Sequence, residues 1–125
     1  MQEKKSTMSV GVKTDYTDNN LMIKSEHDIQ NEIRLALAER GILCFRANVG
    51  RVKMKDGRWF DTGLPKGFCD LFGFRKDGQI FFIEVKNGKG RTSEKQDKFM
   101  ELVKSNGALA GVARSVEDAL EIINK

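Results

Sequence analysis

Gln79-Ile80-Phe81-Phe82-Ile83-Glu84-Val85-Lys86 contains the most apolar run in this chain of 125 residues and ends in two opposite charges. Phe81, Phe82 and Ile83 suit a buried strand. Burying a carboxylate or an ammonium there is costly unless it is paired or bound to a metal. Strand side chains alternate between faces, so Ile80, Phe82, Glu84 and Lys86 share one face and Phe81, Ile83 and Val85 the other. The first face begins apolar and ends ionic, as where a strand leaves a core and enters a cleft. A second acid, Asp70, lies thirteen intervening residues before Glu84. Asp77-Gly78 between them is a tight-hairpin signal, so Cys69 to Phe74 and Gln79 to Lys86 should pair antiparallel. With Lys76 opposite Gln79, Asp70 would face Val85, one step from both Glu84 and Lys86. Two acids and a lysine in one small volume suit a site that holds a divalent cation and places a water beside it.

Outward from this hairpin, the chain alternates helix and strand signals. Ser25 is a good N-cap for a helix running to about Arg40, with Gly41 as its stop. Ile29, Ile33, Ala36 and Leu37 form its apolar face, which turns Glu26 inward and leaves Glu32 towards solvent. Ile42 to Ala47 is a short strand. Arg51 to Lys55 and Arg58 to Thr62 flank Asp56-Gly57, a second hairpin signal. Asn87 to Thr92 reads as a glycine-rich basic loop. Ser93 through Gln96 fits a capping box opening a helix to Asn106, with Phe99, Leu102 and Val103 as its buried stripe. Ala108 to Val112 is a strand of small residues, and Ser115 caps a last helix through Ile123. The fold class expected is α/β, a mixed central sheet flanked by helices. Residues 1–24 are polar and without period, and read as a flexible or loosely packed arm before a domain at 25–125. Val10, Val12, Leu21, Met22 and Ile23 could dock as an edge strand or a dimer contact.

The apolar fraction of 39% and charged fraction of 32% describe a soluble globule, and no apolar run approaches the ~20 residues of a membrane span. With no signal-peptide pattern either, a soluble, cytoplasmic protein is expected. Cys44 and Cys69 form no CxxC pair, which excludes a zinc module and suggests reduced thiols. Net charge is +4, and residues 46–66 alone carry that excess. A second basic group, Lys86, Lys89, Arg91, Lys95 and Lys98, follows the acidic strand. Cations around an acidic pair favour a polyanionic partner.

Asp70…Glu84-Val85-Lys86 resembles the PD-(D/E)XK nuclease signature. Ser25 to Val116 is similar to its VRR-NUC branch, the virus-type replication-repair nucleases. The matching pieces are Ser25-Glu26…Ile29-Gln30, Arg46-Ala47-Asn48-Val49-Gly50, Lys66-Gly67-Phe68-Cys69-Asp70, Glu84-Val85-Lys86, Ser93-Glu94-Lys95-Gln96 and Val112-Ala113-Arg114-Ser115. Cys69 stands where the superfamily's name expects proline, and the branch often has a small residue there. The resemblance implies a restriction-endonuclease-like core and metal-dependent hydrolysis of DNA phosphodiester bonds. It makes Asp70, Glu84, Lys86 and Glu26 the catalytic group, with Asp70, Glu84, the Val85 carbonyl and Glu26 as metal ligands. A carboxylate-rich site with few nitrogens selects Mg²⁺ or Mn²⁺ over zinc. Gln30 and Gln96 would brace the site, although Gln96 is a capping residue first.

Arg46, Asn48, Arg51, Lys53, Lys66, Lys89 and Arg91 are the DNA contacts expected, and each could equally be a solvated charge. Trp59 could stack on a base or, as lone tryptophans more often do, cover sheet surface. His27, the only histidine, is expected to be exposed. The branch is common in phages and mobile elements, and its members without appended domains resemble Holliday-junction resolvases that act as dimers. A structure-selective endonuclease on branched DNA, one site per subunit of a homodimer, is therefore the leading expectation. A catalytically silent nucleic-acid binder of the same fold is the alternative, and a non-nuclease domain with a structural Glu84–Lys86 pair is a third.

Overall fold

The computed structural model describes residues 23–125. The arm expected over residues 1–24 lies outside that range except for Ile23 and Lys24. The elements are α1 (Glu26–Glu39), β1 (Leu43–Arg46), β2 (Arg51–Lys53), β3 (Trp59–Asp61), β4 (Leu71–Phe74), β5 (Ile80–Val85), α2 (Glu94–Ser105), β6 (Leu109–Ala113) and α3 (Val116–Ile123). Their order and type follow the sequence reading, with ends shifted by one or two residues. Each helix starts at a serine whose hydroxyl accepts a backbone N–H of the first turn: Ser25 from Asp28, Ser93 from Gln96 and Ser115 from Asp118.

Four strands form a mixed sheet in the order β1-β4-β5-β6, with β5 and β6 parallel and the other pairs antiparallel. Alternation along β5 separates two layers. Phe81, Ile83 and Val85 pack with Leu71, Ala113, Ile29, Ile33 and Leu37 of α1, and Ala119, Ile122 and Ile123 of α3. The opposite face carries Phe82, Cys69 and Met100, with Phe68, Phe72, Phe99 and Val103 beside them. There Phe68, Phe72, Phe82 and Phe99 form an aromatic group with ring centroids 4.8–6.3 Å apart, which seats α2. Among the described residues no helix is long and apolar enough to cross a membrane. Both cysteines are free, and burial pushes the Cys44 thiol up to about 11 and raises Cys69 further still.

Both Asp-Gly hairpins depart from the two-residue turns expected. Arg75 N–H donates to the Gln79 carbonyl, so Lys76, Asp77 and Gly78 form a three-residue loop closed by Gly78 N–H on the Arg75 carbonyl. Gly78 carries a φ of 90°, and the Asp77 carboxylate accepts the Gln79 N–H. Lys55-Asp56-Gly57 repeats this arrangement, with Asp56 accepting from Arg58. The added residue moves the register by one. Leu71 pairs with Ile83, so the ladder carries Asp70 opposite Glu84 rather than Val85. Arg75 also reaches the Ile123 carbonyl at 2.9 Å, tying this turn to the end of α3.

Gly73 of β4 pairs with Cys44 of β1 and has no room for a side chain. A Cβ on this residue would lie 1.9 Å from the Leu43 carbonyl oxygen and 2.8 Å from the Phe81 ring. Neither the paired backbone nor the fully buried ring can yield cheaply. Gly73→Ala should therefore lower unfolding free energy by about 3 kcal/mol, at the upper end of overpacking effects. Urea denaturation would measure it, and an unchanged midpoint would show that the two strands can separate freely.

Candidate active site

β5 leaves the core at Glu84, whose side chain is only 2% exposed. One oxygen, Oε2, accepts the Gln96 amide at 2.8 Å and lies 3.7 Å from Lys86 Nζ. The other, Oε1, is buried with no hydrogen-bond partner among the described residues. Asp70 stands opposite at the entry to β4. Its Oδ2 accepts the Val85 N–H at 2.9 Å, and its own carbonyl accepts the Ala47 N–H at 2.8 Å. An acid that captures a strand N–H in this way has little freedom to swing out. Burial pushes the Glu84 carboxyl up to about 8, the Asp70 charge adds to the rise, and Lys86 only partly offsets it.

Gln96 serves two structures at once. Its Oε1 accepts the Ser93 N–H at 2.8 Å, completing the capping box of α2, while its Nε2 holds Glu84. The N-terminus of α2 is thereby locked to the acid. The loop before Asp70 is pressed against the same turn. A Cβ on Gly67, whose φ is 94°, would fall 2.6 Å from the Lys95 carbonyl oxygen. No larger residue fits between Lys66 and Phe68.

Glu26 enters from the first turn of α1. Its Oε2 lies 3.7 Å, and Lys86 Cδ 3.6 Å, from the point a Cβ on Gly90 would occupy, so both side chains flank one glycine. Gln30, one turn further along α1, is buried, and its Oε1 is without a partner among the described residues. His27 is exposed, as expected. Arg114, to which the sequence alone assigns no role, spans the basic loop. Its two terminal nitrogens donate to the Gly88 and Gly90 carbonyls at 3.0 and 2.8 Å. An arginine following a small-residue strand was the available signal, but only the fold shows which loop it grips.

The basic residues are spread more widely than the acids. Lys89 and Arg91 are exposed on the loop clamped by Arg114, and Lys66 is exposed on the approach to Asp70. Arg51 and Lys53 lie on the separate β2–β3 hairpin. Arg46 pairs with Leu71, a residue of the α1–α3 layer, so it leaves the sheet on the face away from Glu84. Asn48 is exposed just beyond β1.

The donor set fits a hard divalent cation. Among the described residues no three His, Cys, Asp or Glu side chains gather into a group able to hold a metal. Two facing carboxylates, one with a buried oxygen that has no partner among the described residues, nevertheless form a pair that a cation would satisfy. Asp70 and Glu84 would hold it, with the Val85 carbonyl and water completing an oxygen shell.

The raised Glu84 carboxyl couples folding to pH. Between the ordinary carboxylate range and about pH 8 the metal-free folded protein binds more protons than the unfolded chain. Its stability therefore falls as pH rises through that window. Thermal melts without metal from about pH 5 to about pH 9 should show a declining midpoint in the wild type and a flatter profile in Glu84→Gln. Mg²⁺ or Mn²⁺ should raise the wild-type midpoint more at the alkaline end, because the cation takes the place of the proton. A wild-type profile independent of pH would show that Glu84 is not held protonated.

A solved structure described as a VRR_NUC domain is similar to this one, with a TM-score of 0.59 over 81% of this chain and 97% of that chain, at 20% sequence identity. This likeness speaks to the fold: a mixed four-stranded sheet flanked by helices. No curated protein matches the chain. The family model of the VRR-NUC domain matches residues 24–117, a span that includes α1, the acidic hairpin, Gln96 and Arg114. The chain belongs to the VRR-NUC family of nucleases.

Proposed function

We propose that this protein is a Mg²⁺- or Mn²⁺-dependent endodeoxyribonuclease, selective for branched DNA and acting as a homodimer. The observation that carries this reading is the facing pair of half-buried Asp70 and buried Glu84 beside Lys86, with one Glu84 oxygen left without a partner among the described residues. A cation bound by the two acids would lower the pKa of water and neutralise charge building on the scissile phosphate.

The chain's own groups supply the rest. The Val85 N–H fixes the Asp70 rotamer and the Gln96 amide fixes Glu84, so both acids are oriented before substrate arrives. Lys86, 14% exposed at its side chain, offers an ammonium at the mouth of the site. It is placed to orient the attacking hydroxide and to stabilise negative charge on phosphate oxygens. Glu26, across Gly90 from Lys86, could accept a proton from a water or take part in holding a second ion. Lys66, Lys89 and Arg91 would contact flanking phosphates, which position DNA without reading its sequence.

Branched DNA is favoured because the basic residues are spread over separate loops and a separate hairpin rather than gathered on one groove-reading helix. A homodimer suits a symmetric four-way junction, which needs one cut in each of two strands. The test is cleavage of a labelled four-way junction and a matched linear duplex with Mg²⁺, Mn²⁺ or EDTA. Wild type should cut the junction in either metal and spare it in EDTA, while Asp70→Ala and Lys86→Ala each lose at least about 10²-fold in rate. Binding without cutting under any metal would leave the silent-binder reading in its place.

A further inference from the structure

We infer that the β2–β3 hairpin is a nucleobase-stacking wedge, with Trp59 as the residue that stacks on an unpaired base of the DNA. The inference rests on the DNA-nuclease reading above and adds to it the element that would recognise the open base of a branch or single strand.

Every residue from Arg51 to Asp61 is exposed, and the hairpin forms its own two-stranded sheet. A short two-stranded ribbon is marginal by itself and gains little from exposing large apolar groups. Yet Val52, Met54, Trp59 and Phe60 are 43–56% exposed on it. Register assigns them to faces. Lys53 pairs with Trp59 and Arg51 with Asp61, so Arg51, Lys53, Trp59 and Asp61 share one face, where Asp61 accepts the Gly63 N–H, while Val52 and Phe60 pair on the other.

The first face has the chemistry of a base-and-phosphate site. Arg51 Cζ lies 5.2 Å and Lys53 Nζ 5.9 Å from the centroid of the Trp59 ring. These cations orient the ring while leaving it 56% exposed. An aromatic plane flanked by cations matches a nucleotide, whose base stacks while its phosphate meets the charge. The opposite face offers the Phe60 ring, so a strand on either side of the hairpin would meet an aromatic surface, as expected of an inserted wedge.

Position ties the element to the acids. The hairpin leaves the main sheet after Ala47 and returns at Asp70, and those residues are bonded to each other through Ala47 N–H and the Asp70 carbonyl. Its neck is closed by Thr62, whose N–H and hydroxyl both donate to the Gly50 carbonyl at 2.9 and 3.0 Å. The stacking ring is thus carried on a stem rooted in the backbone of a catalytic acid.

Trp59 is the chain's only tryptophan, so its emission reports this contact alone. In EDTA, where no cleavage occurs, oligothymidylate or a DNA with an open branch should quench it strongly, and a blunt duplex much less. Trp59→Ala should weaken binding of oligothymidylate, followed by anisotropy of labelled DNA, about tenfold, and Trp59→Phe should restore most of that loss. Binding without quenching, or an affinity unchanged in Trp59→Ala, would overturn the inference. So would an emission change with protein concentration alone, which would mean that a second copy covers the ring. Quenching by a protein that cuts nothing in Mg²⁺ or Mn²⁺ would keep the wedge and remove the nuclease reading, and cutting without quenching would do the reverse.

Discussion

Two carboxylates forced together where water is scarce are the constraint on which this molecule is organised. Glu84 sits at the end of the most buried strand, and Asp70 faces it across the hairpin. In such a medium like charges repel strongly and each unpaired oxygen is costly. The surroundings answer that cost only in part: a backbone N–H for Asp70, an amide and the Lys86 ammonium at 3.7 Å for Glu84 Oε2, and nothing among the described residues for Glu84 Oε1. A protein selected for stability alone would have an apolar residue here. A positive charge added here would complete that satisfaction.

Much of the remaining architecture supports this arrangement. α1 and α3 cover one face of the sheet with aliphatic side chains, which buries that side of β5. The other face is filled by phenylalanine rings that seat α2, and α2 presents Gln96 to the acid. One glutamine thereby couples a helix terminus to the site, so the capping box that starts α2 also fixes the rotamer of Glu84. Arg114, from the loop after β6, holds the glycine-rich segment that runs past Lys86 and Glu26. Elements distant in sequence converge on the end of one strand.

The hairpins show where local reasoning fell short. Lys-Asp-Gly occurs twice, and both times it forms a three-residue loop with the aspartate accepting from the residue after glycine. A two-residue turn and this loop share the same Asp-Gly signature, so the sequence pattern does not separate them. The consequence is a one-residue shift that sets Asp70 opposite Glu84 itself. The proximity inferred from the strand pattern survives because Asp70 reaches the backbone of the next residue, Val85.

The sequence by itself determined the order of elements, the serine caps, the apolar face of α1 and the strand that carries Glu84 and runs into Lys86, whereas Leu102, expected in the buried stripe of α2, is 60% exposed. These depend on periodicity and short-range hydrogen bonds, which are encoded within a few residues of where they act. The acids were legible because charge at the end of an apolar strand is expensive wherever the strand is placed. Only the tertiary structure decided which carboxylate oxygen lacks a partner, that Gln96 reaches Glu84, that Arg114 grips the Gly88–Gly90 backbone, and that Arg46 leaves the opposite face. Each of those contacts joins residues that are far apart in the chain or depends on a ladder register. Long-range geometry of that kind follows from how whole layers pack, and no local pattern carries it.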